Sequence, residues 1–303
     1  MDGLRASLIT RRSFAAATAG CFLSRAQTAA KPLVFGFSLY GMKTLPWREG
    51  LSHVARIGYK STELCLRSGW DTEPKLLTKA NRAEIRQRIG DLGLWLAAAM
   101  ENIALARQGA NPADNLERLR AAAEVCHECS PGTPAILETT VGGRDETWED
   151  RKNAMAEELA SWARRAEELE LTLAIKAHSK TAMNRPERVR WLFGQVKSPR
   201  LRLVYDYSHY EAFGLDMRKT MEQIVPDSVF VHIKDTVGSA PNHHFILPGD
   251  GDVDFHAYMR NLIDLHYRGA VIVEVSVDVF DKPGYDPVKA AEHVWQRVSP
   301  AFA

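Results

Sequence analysis

The sequence predicts an α/β protein built as a single-domain (β/α)₈ (TIM) barrel, and three observations lead to that fold class. Apolar runs of strand length alternate with amphipathic runs of helix length in eight successive units between Leu33 and Val298. The units are evenly spaced, and residues 31–303 match the size of such barrels, roughly 250 residues. The rival, a doubly wound open sheet, would carry a GxGxxG turn after its first strand, and none follows Ser38.

The elements read in order as follows. Leu33–Ser38 is the first strand, and Pro46 to Ile57 a helix ended by Gly58. Ser61 to Leu66 is the second strand, before a helical run from Lys75 to Leu92 that Gly93 stops. Leu94 to Met100 is the third strand and the alanine-rich Pro112 to Cys129 its helix; Ala135 to Thr139 is the fourth, followed by a long charged helix from Trp148 to Leu169. Leu171 to Ile175 is the fifth strand, and Pro186 opens a helix reaching Val196. Leu201 to Tyr205, Val229 to Ile233 and Val271 to Val275 complete the strands, and Pro287 to Val298 is the last helix.

Composition narrows the function. The 303 residues are 45% hydrophobic and 25% charged with a formal net charge of +1, so the extended basic surface of a nucleic-acid binder is not expected and a small-molecule partner is. Thr10-Arg11-Arg12-Ser13-Phe14 followed by AAATAGCFL reads as a twin-arginine export signal over residues 1–30, cut after Ala30, which implies a periplasmic protein. Its apolar run is too short to span a bilayer, so no integral membrane segment is expected after removal. A lipid anchor at Cys21 ranks second, because Thr18 stands where a lipoprotein box has leucine. Cys126 and Cys129 have the spacing of half a zinc site but lie in a helical pattern with no second pair, so they are read as helix packing, with a redox pair as the alternative.

In such a barrel the chemistry lies at the C-terminal ends of the strands. Those ends carry Glu63, Glu101 with Asn102, Glu138, Lys176 with His178, Asp206 with His209, His232 with Lys234, and Glu274. Each alone is an ordinary polar strand end; together on one rim they make a site. Asp206, His232 and Glu274 are a donor set suited to Mn²⁺, Co²⁺, Mg²⁺ or Zn²⁺. Trp70, Trp95 and Tyr210 are candidates to stack on a ligand ring, though Trp95 reads as core, and His243-His244 could reach the pocket from a loop.

Asp206-Tyr-Ser-His209, Val231-His-Ile-Lys-Asp235, Leu247-Pro-Gly-Asp-Gly-Asp-Val-Asp-Phe255 and Val273-Glu-Val-Ser276 together resemble the xylose isomerase-like TIM barrel superfamily, which includes sugar phosphate isomerases and epimerases, inosose dehydratase and endonuclease IV. The resemblance runs from about Val34 to the C-terminus. It implies that Asp206, His232 and Glu274 hold a divalent metal, that His209 contacts substrate or a second metal, and that Gly249 to Asp254 form the lip of the pocket. In epimerase-like members the fifth strand ends in Glu-x-His, whose glutamate binds metal and exchanges the substrate proton; here the residues are Lys176-Ala177-His178. A protonated lysine cannot ligate and repels a cation. Three outcomes stay open: metal held by three ligands with help from Glu138, Lys176 in the metal's place or acting on the proton or carbonyl, or loss of the chemistry. The first two are preferred, since an idle buried polar pocket would cost stability.

The implied reaction is proton removal next to a carbonyl carbon of a carbohydrate. Lys176, Glu274 and His209 would be catalytic, and His178, Lys234 and His209 would bind substrate. Isomerisation, epimerisation and the elimination of a lyase or dehydratase share that first step. Endonuclease chemistry is disfavoured, because Asp252-Val253-Asp254 lacks the histidine its trinuclear zinc site needs. The competing class is a non-catalytic exported sugar-binding protein on a degenerate barrel.

Overall fold

The computed structural model describes residues 33–103, 111–130 and 132–303. The export signal and Cys21 therefore lie outside the described residues. Eight parallel strands close into a barrel: β1 (Leu33–Ser38), β2 (Ser61–Cys65), β3 (Trp95–Met100), β4 (Ile136–Thr140), β5 (Leu173–Lys176), β6 (Leu201–Asp206), β7 (Ser228–Ile233) and, after the two hairpin strands β8 (Asp235–Val237) and β9 (His244–Ile246), β10 (Gly269–Val273). Each barrel strand pairs with its neighbour in sequence, and β10 closes the ring on β1 with Leu33 opposite Gly269. The helices are α1 (Trp47–Ile57), α2 (Lys79–Asp91), α3 (Pro112–Cys129), α4 (Trp148–Glu168), α5 (Pro186–Gln195), α6 (Ser208–Glu211), α7 (Met217–Ile224), α8 (Phe255–Asp264), α9 (Val277–Phe280) and α10 (Pro287–Val298). Among the described residues no helix is long and apolar enough to cross a membrane.

The period of two along a strand decides what faces the barrel axis. Ala98, Ala174, Val204, Phe230, Ala270 and Ile272 form one buried cluster, with Ile136 packed against it. Two residues further along their strands stand Lys176, Asp206, His232, Glu274 and Glu138. The site is thus the next inward layer above an apolar plug. Space in that plug is tight: a Cβ on Gly36 would sit 2.2 Å from Ser61 Oγ and 2.4 Å from Ile272 Cδ1. The outward-facing alternates join the larger core between sheet and helices, where Phe35 stacks on Phe302 and meets Tyr59 edge to face.

Several expectations need correction. Trp95 is the first residue of β3 and stays 38% exposed, because it lies at the N-terminal rim rather than inside the strand. Tyr210 is buried in the core against Tyr205, so it offers no face to a ligand. The helical run from Lys75 splits, with a short 3₁₀ turn at Pro74–Leu76 and α2 starting after the Thr78 cap, whose hydroxyl accepts from Asn81 N–H. The hairpin β8–β9 was not foreseen; its three-residue strands are too short to show periodicity. Cys126 and Cys129 are free, buried thiols in α3, as helix packing requires.

Candidate active site

β5 ends at Lys176 and β6 at Asp206, while β7 ends one residue past His232 and β10 one residue before Glu274. In register, Asp206 lies opposite His232, so the two side chains enter the barrel mouth side by side. α6 begins immediately after β6, and this tight turn brings His209 back over Asp206, with Nε2 at 3.4 Å from Oδ2.

The centre of the site is the Lys176 ammonium. Its Nζ lies 3.0 Å from His232 Nδ1, 3.0 Å from Glu274 Oε2 and 3.2 Å from Glu138 Oε1, and the side chain is almost wholly buried. Lys234 donates to Asp206 and, at 2.5 Å, to the same Glu274 oxygen. Behind His232, Glu63 Oε2 lies 3.1 Å from Nε2 and accepts from Ser38 Oγ at 2.5 Å. On the other side, the His178 and His209 rings pack at a tilt of 38° with centres 4.1 Å apart, and Ser179 Oγ bridges His209 Nδ1 at 3.2 Å and His243 Nε2 at 2.7 Å. Tyr40, Glu138, Lys176, His178 and Glu274 all face one cleft of about 170 Å³.

Charge and burial compete differently at each group. Burial pulls the Lys176 ammonium down, but Glu138, Glu274, Asp206 and Glu63 outweigh it and hold the group above the ordinary lysine value, so it stays protonated at neutral pH. Burial resists ionisation of Glu274, yet Lys176, Lys234 and His232 keep its carboxyl well below the usual range. At Glu138 burial prevails over Lys176 and His232, and the carboxyl is raised. His178 is pushed down to about 3, mainly by burial and then by Lys176 and Lys234. His209 is driven well below its ordinary value by burial, then by His178 and the two lysines, so both rings are neutral.

Whether the residues fit a metal turns on Lys176. Asp206, His232 and Glu274 each offer a ligand atom within 4.8 Å of the others, close enough to share one cation. Two ammonium groups already bind those same carboxylates. A divalent ion about 4 Å from a fixed ammonium meets about 8 kcal/mol of repulsion at an effective dielectric constant near 20. The donor set suits a cation; with Lys176 charged and in place it does not admit one.

The structure brings Lys176, Glu274, Asp206, His232, Glu138, Lys234, His178 and His209 together. Glu101, another strand-end acid, lines the wall of the same cleft but is paired with Arg118 rather than with the central lysine. Glu63 stands on the rim expected from the sequence, with no role assigned to it there, and Ser38 and Ser179 were not among the expected residues. Glu63 could have been found from its strand, where it stands two residues past Ser61 on the inward face. His243 is buried against Ser179 while its neighbour His244 is exposed, so the loop histidines divide into one site-wall residue and one solvated residue.

The chain is similar to an inosose dehydratase from Geobacillus kaustophilus (strain HTA426), with 22% identity over 275 residues covering 82% of this chain and 86% of that protein. It is also similar to the putative L-ribulose-5-phosphate 3-epimerase SgbU of Escherichia coli (strain K12), 24% identical over 169 residues; that match covers 53% of this chain and 59% of the relative. Among solved structures, the IOLI protein with a binding zinc atom superposes with a TM-score of 0.73 at 17% identity, over 89% of this chain and 99% of that one. Residues 51–296 match the profile of the xylose isomerase-like TIM barrel, and the chain belongs to that family.

Proposed function

We propose that this protein is a sugar-modifying enzyme that moves a proton at the carbon next to a carbonyl, with the Lys176 ammonium as the electrophile. The observation that carries the reading is the position of Lys176, between Glu138 and Glu274 at the floor of the cleft. A carbonyl oxygen entering this cleft would meet the one N–H of Lys176 not engaged by His232 and Glu274, placed where negative charge develops as the neighbouring proton leaves. Glu138 and Glu274 flank that point and are the groups to take and return the proton. His178, neutral and lining the cleft, is placed to bind a hydroxyl, with the neutral His209 ring packed behind it. Dehydration of an inosose and epimerisation of a ribulose phosphate, the activities named for the two relatives, both begin with such a proton removal.

The test is exchange in heavy water with a panel of keto-sugars, inososes and oxidised glycosides, followed by NMR. Deuterium should enter next to the carbonyl, and Lys176→Met should slow this by about 10²-fold or more, the scale of losing one oxyanion donor. Ligands that bind without any exchange across the panel would instead favour a sugar-binding protein.

A second reading has its own observation, the 4.8 Å cluster of Asp206, His232 and Glu274. In it Lys176 swings aside and those residues hold Mn²⁺, Co²⁺, Mg²⁺ or Zn²⁺, which would supply Lewis acidity to the same carbonyl. Metal analysis of protein purified without chelators separates the two. A stoichiometric metal would displace the lysine reading. Export through the twin-arginine route, proposed from Arg11 and Arg12, suits a protein that folds before transport.

A further inference from the structure

The cleft above Lys176 adjoins a second pocket of about 460 Å³, open to solvent, and Arg67, Glu101 and Asn102 line both. Arg67 follows β2, and its guanidinium is held by a rigid aromatic pair. Tyr40 and Trp70, both largely buried, stack with ring centres 5.2 Å apart, and the guanidinium carbon lies 5.1 Å from one ring and 5.4 Å from the other. One N–H donates to Tyr40 Oη at 2.8 Å. Among the described residues no carboxylate pairs with Arg67 within 4 Å, although a guanidinium has five N–H donors to place. Glu101, the acid in the shared wall, is committed to Arg118, and Lys180 adds a second cation to the inner cleft. The floor of the cleft holds Glu138 and Glu274 around Lys176, and Arg67 and Lys180 are its further cations.

We infer that the substrate is an acidic sugar, whose carbonyl lies at Lys176 while a carboxylate or phosphate at its other end pairs with Arg67 where the two pockets adjoin. The inference rests on the sugar chemistry proposed above and adds the charge of the substrate. A planar guanidinium held against aromatic faces loses little entropy on binding and presents a fork that matches either anion. A cation of this kind, buried on its aromatic side and unpaired toward the cavity, is costly unless an anion or water completes it.

Calorimetry on the full-length protein tests this through binding alone. Glucuronate against glucose is the carboxylate arm, and glucose phosphate against glucose is the phosphate arm. At least one anionic probe should bind about tenfold or more tightly than glucose, and the stronger arm identifies the anion. Arg67→Met should bring the ratio to about one, and Arg67→Lys, which keeps the charge and loses the fork, should retain part of it. The wild-type ratio should also shrink as salt rises, which keeps the test alive if Arg67→Met does not fold. Equal affinity for charged and neutral probes, absence of binding by both anionic probes, or a ratio indifferent to salt and to Arg67 overturns the inference. Absence of proton exchange across the carbonyl panel, with the anion preference intact, would instead refute the sugar chemistry and leave the Arg67 subsite standing.

Discussion

Replacing Lys176 with glutamate should turn the cleft floor into a strong divalent-cation site. In the wild type a cation placed among Asp206, His232 and Glu274 would stand about as far from the Lys176 ammonium as the ammonium stands from His232 and Glu274, at 3.0 Å each, or slightly farther. At about 4 Å, a little beyond those contacts, the raw repulsion is about 8 kcal/mol at an effective dielectric constant near 20, and a glutamate in the same place reverses its sign. Desolvating the new carboxylate takes back most of that gain. A conservative expectation is at least a hundredfold tighter Mn²⁺ binding, about 2.7 kcal/mol. Isothermal calorimetry with Mn²⁺ on wild type and Lys176→Glu reads it directly, and Lys176→Met, which removes the charge without adding a donor, should fall between. The variant gathers five acids where the wild type has four and two lysines, so without metal it should melt lower, and saturating Mn²⁺ should restore the melting temperature by mass action. Equal or weaker Mn²⁺ binding in a folded Lys176→Glu protein would show that Lys176 does not stand where a cation would bind.

Three further outcomes are expected. His178 and His209 have folded values below the ordinary 6.5, so the unfolded chain binds protons the native state refuses; stability is full above about pH 6.5 and falls as pH drops below it, by up to about 1.4 kcal/mol per pH unit for each ring. Urea unfolding at pH 7.5 and at pH 5 should therefore show a steeper loss in wild type than in the His178→Asn, His209→Asn double variant, and identical slopes would contradict the burial of neutral rings. Gly36→Ala forces a Cβ against Ser61 and Ile272 and should cost about 3 kcal/mol or more, seen as a fall in the midpoint of thermal unfolding; a change under about 0.5 kcal/mol would mean the barrel interior has more room than described. Changing Arg11 and Arg12 to lysine should retain the protein in the cytoplasm, measured by cell fractionation, and unchanged export would remove the twin-arginine reading.

The barrel was legible in the sequence because parallel strands buried on both faces leave unbroken apolar runs, and Leu173–Lys176 or Gly269–Val273 can scarcely be read otherwise. Strand ends were legible for the same reason: an ionisable residue closing an apolar run marks where the strand meets the mouth. Partners were not. Whether Glu101 serves the site or a helix depends on Arg118, a residue on α3 whose reach no strand pattern encodes. Ser179 and His243 come together only because the hairpin β8–β9 folds over the mouth, and its strands span three residues each. Trp95 misled because a leading aromatic looks the same at the exposed rim of a strand as it does inside one.

Lys176 and Lys234 together explain how this donor set can be satisfied without a metal. A divalent cation would bring two positive charges to a single point among Asp206, His232 and Glu274. The two lysines bring the same total charge on two covalent stems, both reaching Glu274 Oε2 from different strand ends, one from β5 and one just past β7. Under the proposed chemistry the charge balance that keeps buried Glu274 ionised is preserved, while the centre offers ammonium N–H donors in place of a Lewis acid. An ammonium stabilises less charge at one atom than a dication does, but it can share a proton with the oxygen it holds. Under the proposed chemistry, a substrate whose carbonyl-derived oxyanion needs only hydrogen bonds would be served by that exchange, and its remaining charge would be recognised at Arg67 in the same cleft.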